Sequence, residues 1–143
     1  LEYNNPVGES GFNEKILEKM ISFSRVIKEK RATFISDDFS ELMGYIDSKT
    51  FVYCDPPYLI TLGSYNDGKR GFNGWNESDE IRLHDFLDEV SKVGGKFMLS
   101  NVITHKGKVN NLLVNWIKKN NYRVIECNEK VKKSRNEIIV VNY

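Results

Sequence analysis

Between Asn13 and Lys30 the apolar residues fall at Ile16, Leu17, Met20, Ile21, Phe23 and Ile27, a spacing that predicts a helix with one buried stripe. Thr33, Phe34 and Ile35 form a short apolar run that reads as a strand. Asp37-Asp38-Phe39 follows and leads into a turn or short helix as far as Met43. Thr50 to Cys54 is apolar throughout, which predicts a second strand, buried on both faces. A stretch of Gly, Asn and Ser without periodicity follows, and residues 60–76 read as a mobile loop. A helix then begins near Ser78, with Asp79 and Glu80 in a first turn whose free N–H groups favour negative charge. Leu83, Phe86, Leu87 and Val90 form its apolar face, and Gly94-Gly95 ends it. Lys96 to Ser100 reads as a third strand and Asn101 to Gly107 as a polar loop. Val109, Leu112, Leu113, Trp116 and Ile117 mark another amphipathic helix, stopped by Asn120-Asn121. Tyr122 to Cys127 and Glu137 to Asn142 are two further strands, with a polar, basic connection that suits an antiparallel pair. Strands alternating with helices imply an α/β fold with a mostly parallel sheet.

Composition narrows this only slightly. The chain has 143 residues, enough for one domain with a core, and a formal net charge of +1, so no global basic field announces a nucleic-acid partner. Charged residues make up 29% and apolar residues 40%, ordinary for a globular protein. No apolar run approaches about 18 residues and no signal-peptide pattern opens the chain, so the expected setting is cytoplasmic, away from membranes. Cys54 and Cys127 fit neither a zinc spacing nor a disulfide framework, and both read as small buried thiols. The first residue is Leu1, not Met.

The chemistry is concentrated in Asp55-Pro56-Pro57-Tyr58, directly after the apolar strand Thr50 to Cys54. Ligand sites of open α/β sheets form at the carboxyl ends of strands. Two prolines fix φ and remove two backbone donors, leaving a stiff segment with outward carbonyls. A carboxylate, a rigid carbonyl and an aromatic ring thus lie within one tetrapeptide. The plainer alternative is a proline-rich turn with Tyr58 packed on the surface. By composition alone the tetrapeptide arises in on the order of one in a thousand chains of this length.

Asp-Pro-Pro-Tyr after an apolar strand resembles the catalytic motif of amino-methyltransferases acting on adenine in DNA. Asp38-Phe39, the stretch from Gly71-Phe72 to Leu83, Lys96-Phe97-Met98-Leu99-Ser100-Asn101, and Arg135-Asn136-Glu137-Ile138-Ile139-Val140-Val141-Asn142-Tyr143 resemble the Dam-like group, in that group's order. The resemblance covers roughly residues 33–143 and implies a Rossmann-like sheet, S-adenosylmethionine as cofactor, double-stranded DNA as substrate and no metal. It implies catalytic roles for Asp55, Pro56, Pro57 and Tyr58. Asp55 and the Pro56 carbonyl would each accept an N–H bond from the adenine amine, holding the nitrogen lone pair toward the sulfonium methyl. Tyr58 would stack on the flipped base.

Asp38 and Phe39, with Asp55, are the expected cofactor contacts; the alternative is an N-cap aspartate and a core phenylalanine. Tyr65, Lys69, Arg70, Phe72 and Trp75 interleave aromatics with positive charge, which suits DNA contact, against a solvated loop with one aromatic anchored in the core. Asn101 is a further expected DNA contact. His105 reads as an exposed loop histidine, the tip carrying Lys130, Lys132, Lys133 and Arg135 as solvated, and His84 as structural.

The resemblance also implies a glycine-rich loop, Phe-x-Gly-x-Gly, and a target-recognition region ahead of Asp-Pro-Pro-Tyr. Neither occurs here, and Gly8-Glu9-Ser10-Gly11 follows no strand. The expectation is therefore an incomplete sheet: residues 1–143 as the C-terminal part of one catalytic domain, with 1–11 as a loop lead-in. Its partner would be the N-terminal half of the same enzyme, or a second copy through exposed strand edges. The alternatives are a non-catalytic fragment or DNA-contacting module, and methylation of an RNA adenine or of cytosine; Asp rather than Ser at position 55 argues against cytosine.

Overall fold

The computed structural model describes residues 13–64, 74–127 and 135–143. The chain divides into two units, Leu1–Ser36 and Asp37–Tyr143. In the first, α1 spans Glu14–Glu29, and its N-cap Asn13 accepts a hydrogen bond from the Ile16 amide at 3.1 Å. The buried stripe expected of this helix is not found: none of its residues is buried, and Met20, Ile21 and Phe23 are 57%, 62% and 65% exposed. Periodicity reports which side of a helix is apolar, not whether anything covers it. The strand expected at Thr33 to Ile35 is also absent. Among the described residues that stretch has no ladder partner to take up its backbone hydrogen bonds, and Phe34 is exposed.

The second unit opens with a 3-10 turn, Phe39–Tyr45, and continues through β1 (Phe51–Cys54), a second 3-10 turn (Leu59–Ser64) and α2 (Glu77–Lys92). It ends with β2 (Lys96–His105), β3 (Lys108–Val109), α3 (Asn111–Asn120), β4 (Arg123–Glu126) and β5 (Arg135–Val141). Asn76 starts α2 with a reciprocal capping box, accepting from the Ser78 and Asp79 amides while Asp79 Oδ2 accepts from the Asn76 amide. Gly94 ends α2 at φ +82°, where a Cβ would also meet the Ser48 Cβ at 3.2 Å.

The sheet is open, ordered β1-β2-β5-β4, with β3 hairpinned onto β2. It is mixed rather than mostly parallel: β1 runs parallel to β2, whereas β5 is antiparallel to both β2 and β4. The antiparallel terminal pair was legible from its spacing. What was not legible is that β5 inserts between β2 and β4, reversing direction against each. The segment expected to be a polar loop, Asn101 to Gly107, is largely strand, because Val102 to His105 find backbone partners at Glu137, Asn136 and Arg135. Only Lys106 and Gly107 form the turn, both at positive φ.

Side chains alternate across the sheet. On one face Phe97, Leu99, Ile138 and Val140 pack under α2 (Leu83, Phe86, Leu87, Val90) and α3 (Leu113, Trp116, Ile117), with Val52 and Cys54 at the margin. Asp88 ties the two helical segments, accepting from Trp116 Nε1 at 2.8 Å and the Tyr122 hydroxyl at 2.9 Å. The expectation that β1 is buried on both faces fails, since Phe51 and Tyr53 are 53% and 58% exposed. β1 lies at the edge of the described sheet, and the helices cover only its other face. Cys127 is likewise exposed rather than buried; Cys54 is half-buried, and burial pushes its thiol up to about 11.

Candidate active site

The parallel pairing of β1 with β2 sets Cys54 opposite Leu99. One residue beyond that rung, Asp55 leaves β1 and Ser100 continues β2. The chain then turns through Pro56 and Pro57, and the Tyr58 carbonyl accepts from the Thr61 amide at 2.9 Å, opening the 3-10 turn. This turn swings the Tyr58 hydroxyl back to the sheet, 2.8 Å from Asp55 Oδ1 and 2.9 Å from Ser100 Oγ. Asp55 is exposed and Tyr58 half-buried. Burial pushes the Tyr58 hydroxyl up from its ordinary value, and the neighbouring Asp55 carboxylate adds to this while Ser100 opposes it. Arg135, the first residue of β5, lays its guanidinium over the Tyr58 ring, 5.0 Å from the centroid. Its Nε lies 2.7 Å from Glu137 Oε1.

Asp38 and Phe39 lie in a separate place. Asp38 caps the first 3-10 turn, accepting from the Ser40 amide and hydroxyl, and Arg82 of α2 reaches its Oδ1 at 2.7 Å. The Ser40 hydroxyl, followed by Arg82 and the Ser40 amide, holds the Asp38 carboxyl down to about 2. Phe39 meets Phe86 edge-on at 5.6 Å and lies under the Arg82 guanidinium at 5.1 Å. Both residues line a cleft of about 520 Å³ with Trp75, Asn76, Asp79 and Arg82. N-capping and core packing, the plainer alternatives for this pair, are both realised, and both residues still border the cleft.

A third cluster has a buried carboxylate at its centre. Glu80, fully buried in the first turn of α2, accepts from Trp75 Nε1 at 2.7 Å, Asn110 Nδ2 at 3.0 Å and Asn101 Nδ2 at 3.1 Å. His84 Nε2 lies 3.7 Å from it, and burial drives that imidazole down to about 4. The ring stacks on Trp116 at 4.2 Å, nearly parallel.

A family model described as D12 class N6 adenine-specific DNA methyltransferase matches residues 2–133. The chain belongs to this family. Among its relatives, the type II methyltransferase M.FokI of Planomicrobium okeanokoites is 40% identical over 99% of the chain and 23% of its own length. The modification methylase StsI of Streptococcus sanguinis is 41% identical over 100% of the chain and 24% of its own length. The retron Ec67 DNA adenine methylase of Escherichia coli is 31% identical over 98% of the chain and 44% of its own length. The chain therefore spans about a quarter of the length of the first two. The open, mixed α/β sheet agrees with the methyltransferase fold of the D12 class.

Within this D12-class chain, Asp55 and Tyr58 are in direct contact, whereas Asp38 contacts Ser40 and Arg82, and Phe39 meets Trp75, Phe86 and Arg82. Asn101, expected as a DNA contact, is fully buried on the sheet face opposite Ser100, and its side-chain amide donates to Glu80. Its polarity was legible; the face it points to depends on the register of β2. Trp75, which lies among the described residues, is anchored by its N–H on Glu80 and its ring beside Phe39. Tyr65, Lys69, Arg70, Phe72, Lys130, Lys132 and Lys133 lie outside the described residues. His105 is the half-buried last residue of β2 rather than a loop residue. Burial, then the charges of Lys106, Arg135 and Lys108, lower its basicity. Sequence reasoning did not single out Glu80, Arg82 or the stacking role of Arg135. Only Glu80 left a signal, as an acidic residue in the first turn of α2. Among the described residues no helix is long and apolar enough to cross a membrane.

Proposed function

We propose that this chain carries the catalytic segment of an enzyme that methylates the exocyclic amine of adenine in double-stranded DNA, with S-adenosylmethionine as methyl donor. The observation that carries this reading is the exposed Asp55 at the carboxyl end of β1, tied through Oδ1 to Tyr58 and with Oδ2 making no hydrogen bond to the described residues. An adenine amine is a poor nucleophile because its lone pair is delocalised into the ring. Asp55 Oδ2 and the Pro56 carbonyl each accept one N–H of that amine, which draws the nitrogen toward tetrahedral geometry. The ionised carboxylate also stabilises the positive charge that develops on nitrogen. The base, flipped from the duplex, stacks on the ring of Tyr58.

The cleft beside Asp38 and Phe39 suits the nucleoside end of the cofactor. Its volume, about 520 Å³, is in the range of small-molecule sites, and it offers a carboxylate for a hydroxyl or amine and an aromatic ring for a purine. When bound, S-adenosylmethionine supplies a methyl group on an electrophilic sulfonium. Among the described residues no strand runs into a glycine-rich loop of the kind the resemblance implies for the methionine end. β1 is the outer strand of the sheet among the described residues, which supports pairing with a further strand of the complete enzyme.

Asp55→Asn tests the reading in the enzyme that carries this chain. Transfer of labelled methyl groups to DNA, measured by filter binding, falls by about 100-fold or more, the usual cost of removing such an electrostatic group. Turnover within a few-fold of wild type would overturn the assignment.

A further inference from the structure

We propose that Ser100 is a positioning residue for methyl transfer: its hydroxyl donates to Tyr58, Tyr58 donates to Asp55, and this directional chain orients the carboxylate that receives the amine. The inference rests on the adenine-methylation reading above. The direction follows from counting protons. Ionised Asp55 only accepts, so the one Tyr58 proton lies toward Asp55 Oδ1 at 2.8 Å. The Ser100–Tyr58 bond, at 2.9 Å, must then take its proton from Ser100. The Tyr58 hydroxyl keeps that proton at working pH, because burial raises its titration above the ordinary phenol range.

The chain runs from a fixed point to a free one. Ser100 lies in the middle of β2, held by β5 through its pairing with Ile139, one residue past the Cys54–Leu99 rung that locks β2 to β1. Asp55 has already left the sheet and is exposed. A carboxylate on an exposed, unpaired segment samples several rotamers. Two hydrogen bonds anchored on a central strand remove that freedom and leave Oδ2 as the acceptor for the amine. Arg135, over the ring, restrains the same tyrosine from its face. Tyr58 thus has two separable parts: a face for the base and a hydroxyl that transmits the position of β2 to Asp55.

The test is steady-state methyl transfer by the enzyme that carries this chain, with Ser100→Ala, Ser100→Thr, Tyr58→Phe and the Ser100→Ala/Tyr58→Phe double variant. Ser100→Ala lowers kcat by about tenfold, the size of one hydrogen bond, with KM for DNA and for cofactor within about twofold. Ser100→Thr, which keeps the hydroxyl on a strand that accepts a β-branched residue, restores most of the rate. Tyr58→Phe lowers kcat similarly, while a fluorescent base analogue at the target reports unchanged flipping. The double variant is no slower than Tyr58→Phe alone, because both cut one chain. Thermal midpoints of all variants show whether the fold is retained. Wild-type kcat in Ser100→Ala or Tyr58→Phe, multiplicative losses in the double variant, or no rescue by Thr in a folded protein would each overturn the inference while the methyltransferase reading stands. Absence of methyl transfer by the wild-type enzyme would instead remove that reading, and the inference with it.

Discussion

Replacing Glu80 by Gln is the sharpest test of the packing that supports the site. The two side chains have the same shape, so no cavity opens and the effect isolates the hydrogen bonds. Glu80 is fully buried and meets only donors: Trp75 Nε1 on Oε2, and the side-chain amides of Asn101 and Asn110 on Oε1. A glutamine keeps one acceptor oxygen and turns an NH₂ group toward the other side. Either Trp75 or the two asparagines then face a donor. One hydrogen bond to a charged group, worth about 1.5–3 kcal/mol, is lost, and a buried donor is left unsatisfied at a cost of roughly 1–3 kcal/mol. Partial relaxation brings the expected loss to about 2–4 kcal/mol, a large share of a typical domain's stability. That corresponds to a fall in Tm of roughly 10 °C. Urea unfolding followed by circular dichroism measures it, and tryptophan fluorescence reports the freed Trp75. Glu77→Gln, on the exposed side of the same turn, is the control and changes stability by less than about 0.5 kcal/mol. An equally small effect for Glu80→Gln would mean that the cluster does not hold Trp75, β2 and α3 together.

Two further outcomes follow from single side chains. Asp38, held down to about 2 against an ordinary 3.8, contributes stability that is present above the ordinary value and lost as pH falls through about 2. Carbon-detected NMR should find that midpoint and see it move toward 3.8 in Ser40→Ala and in Arg82→Ala; midpoints that stay put would sink the assignment of cause. At pH 8 a thiol reagent should modify exposed Cys127 readily and Cys54 only after unfolding, because burial lifts the Cys54 thiol to about 11. Equal labelling rates in the folded protein would show that β1 is less protected than described.

The sequence by itself determined most of the local elements and the family the chain belongs to. Helix α2 is announced by Asp79 and Glu80 in its first turn, the apolar spacing from Leu83 to Val90 and Gly94-Gly95 at its end, all of which act within a few residues. Asp-Pro-Pro-Tyr is contiguous, so the motif can be read without knowledge of the fold. Tertiary structure decided everything that depends on a distant partner. Among the described residues Thr33 to Ile35 has strand composition but no strand partner, and β1 has apolar residues on both faces but α2 and α3 on the side of only one. Val102 to His105 look like loop until β5 arrives to pair with them. Ser100 and Asn101 are neighbours of similar polarity, yet one reaches Tyr58 and the other is sealed against Glu80. Alternation sends consecutive strand residues to opposite faces, and only the register of β2 between β1 and β5, with α2 and α3 packed on one side, decides which face is the site and which is the core.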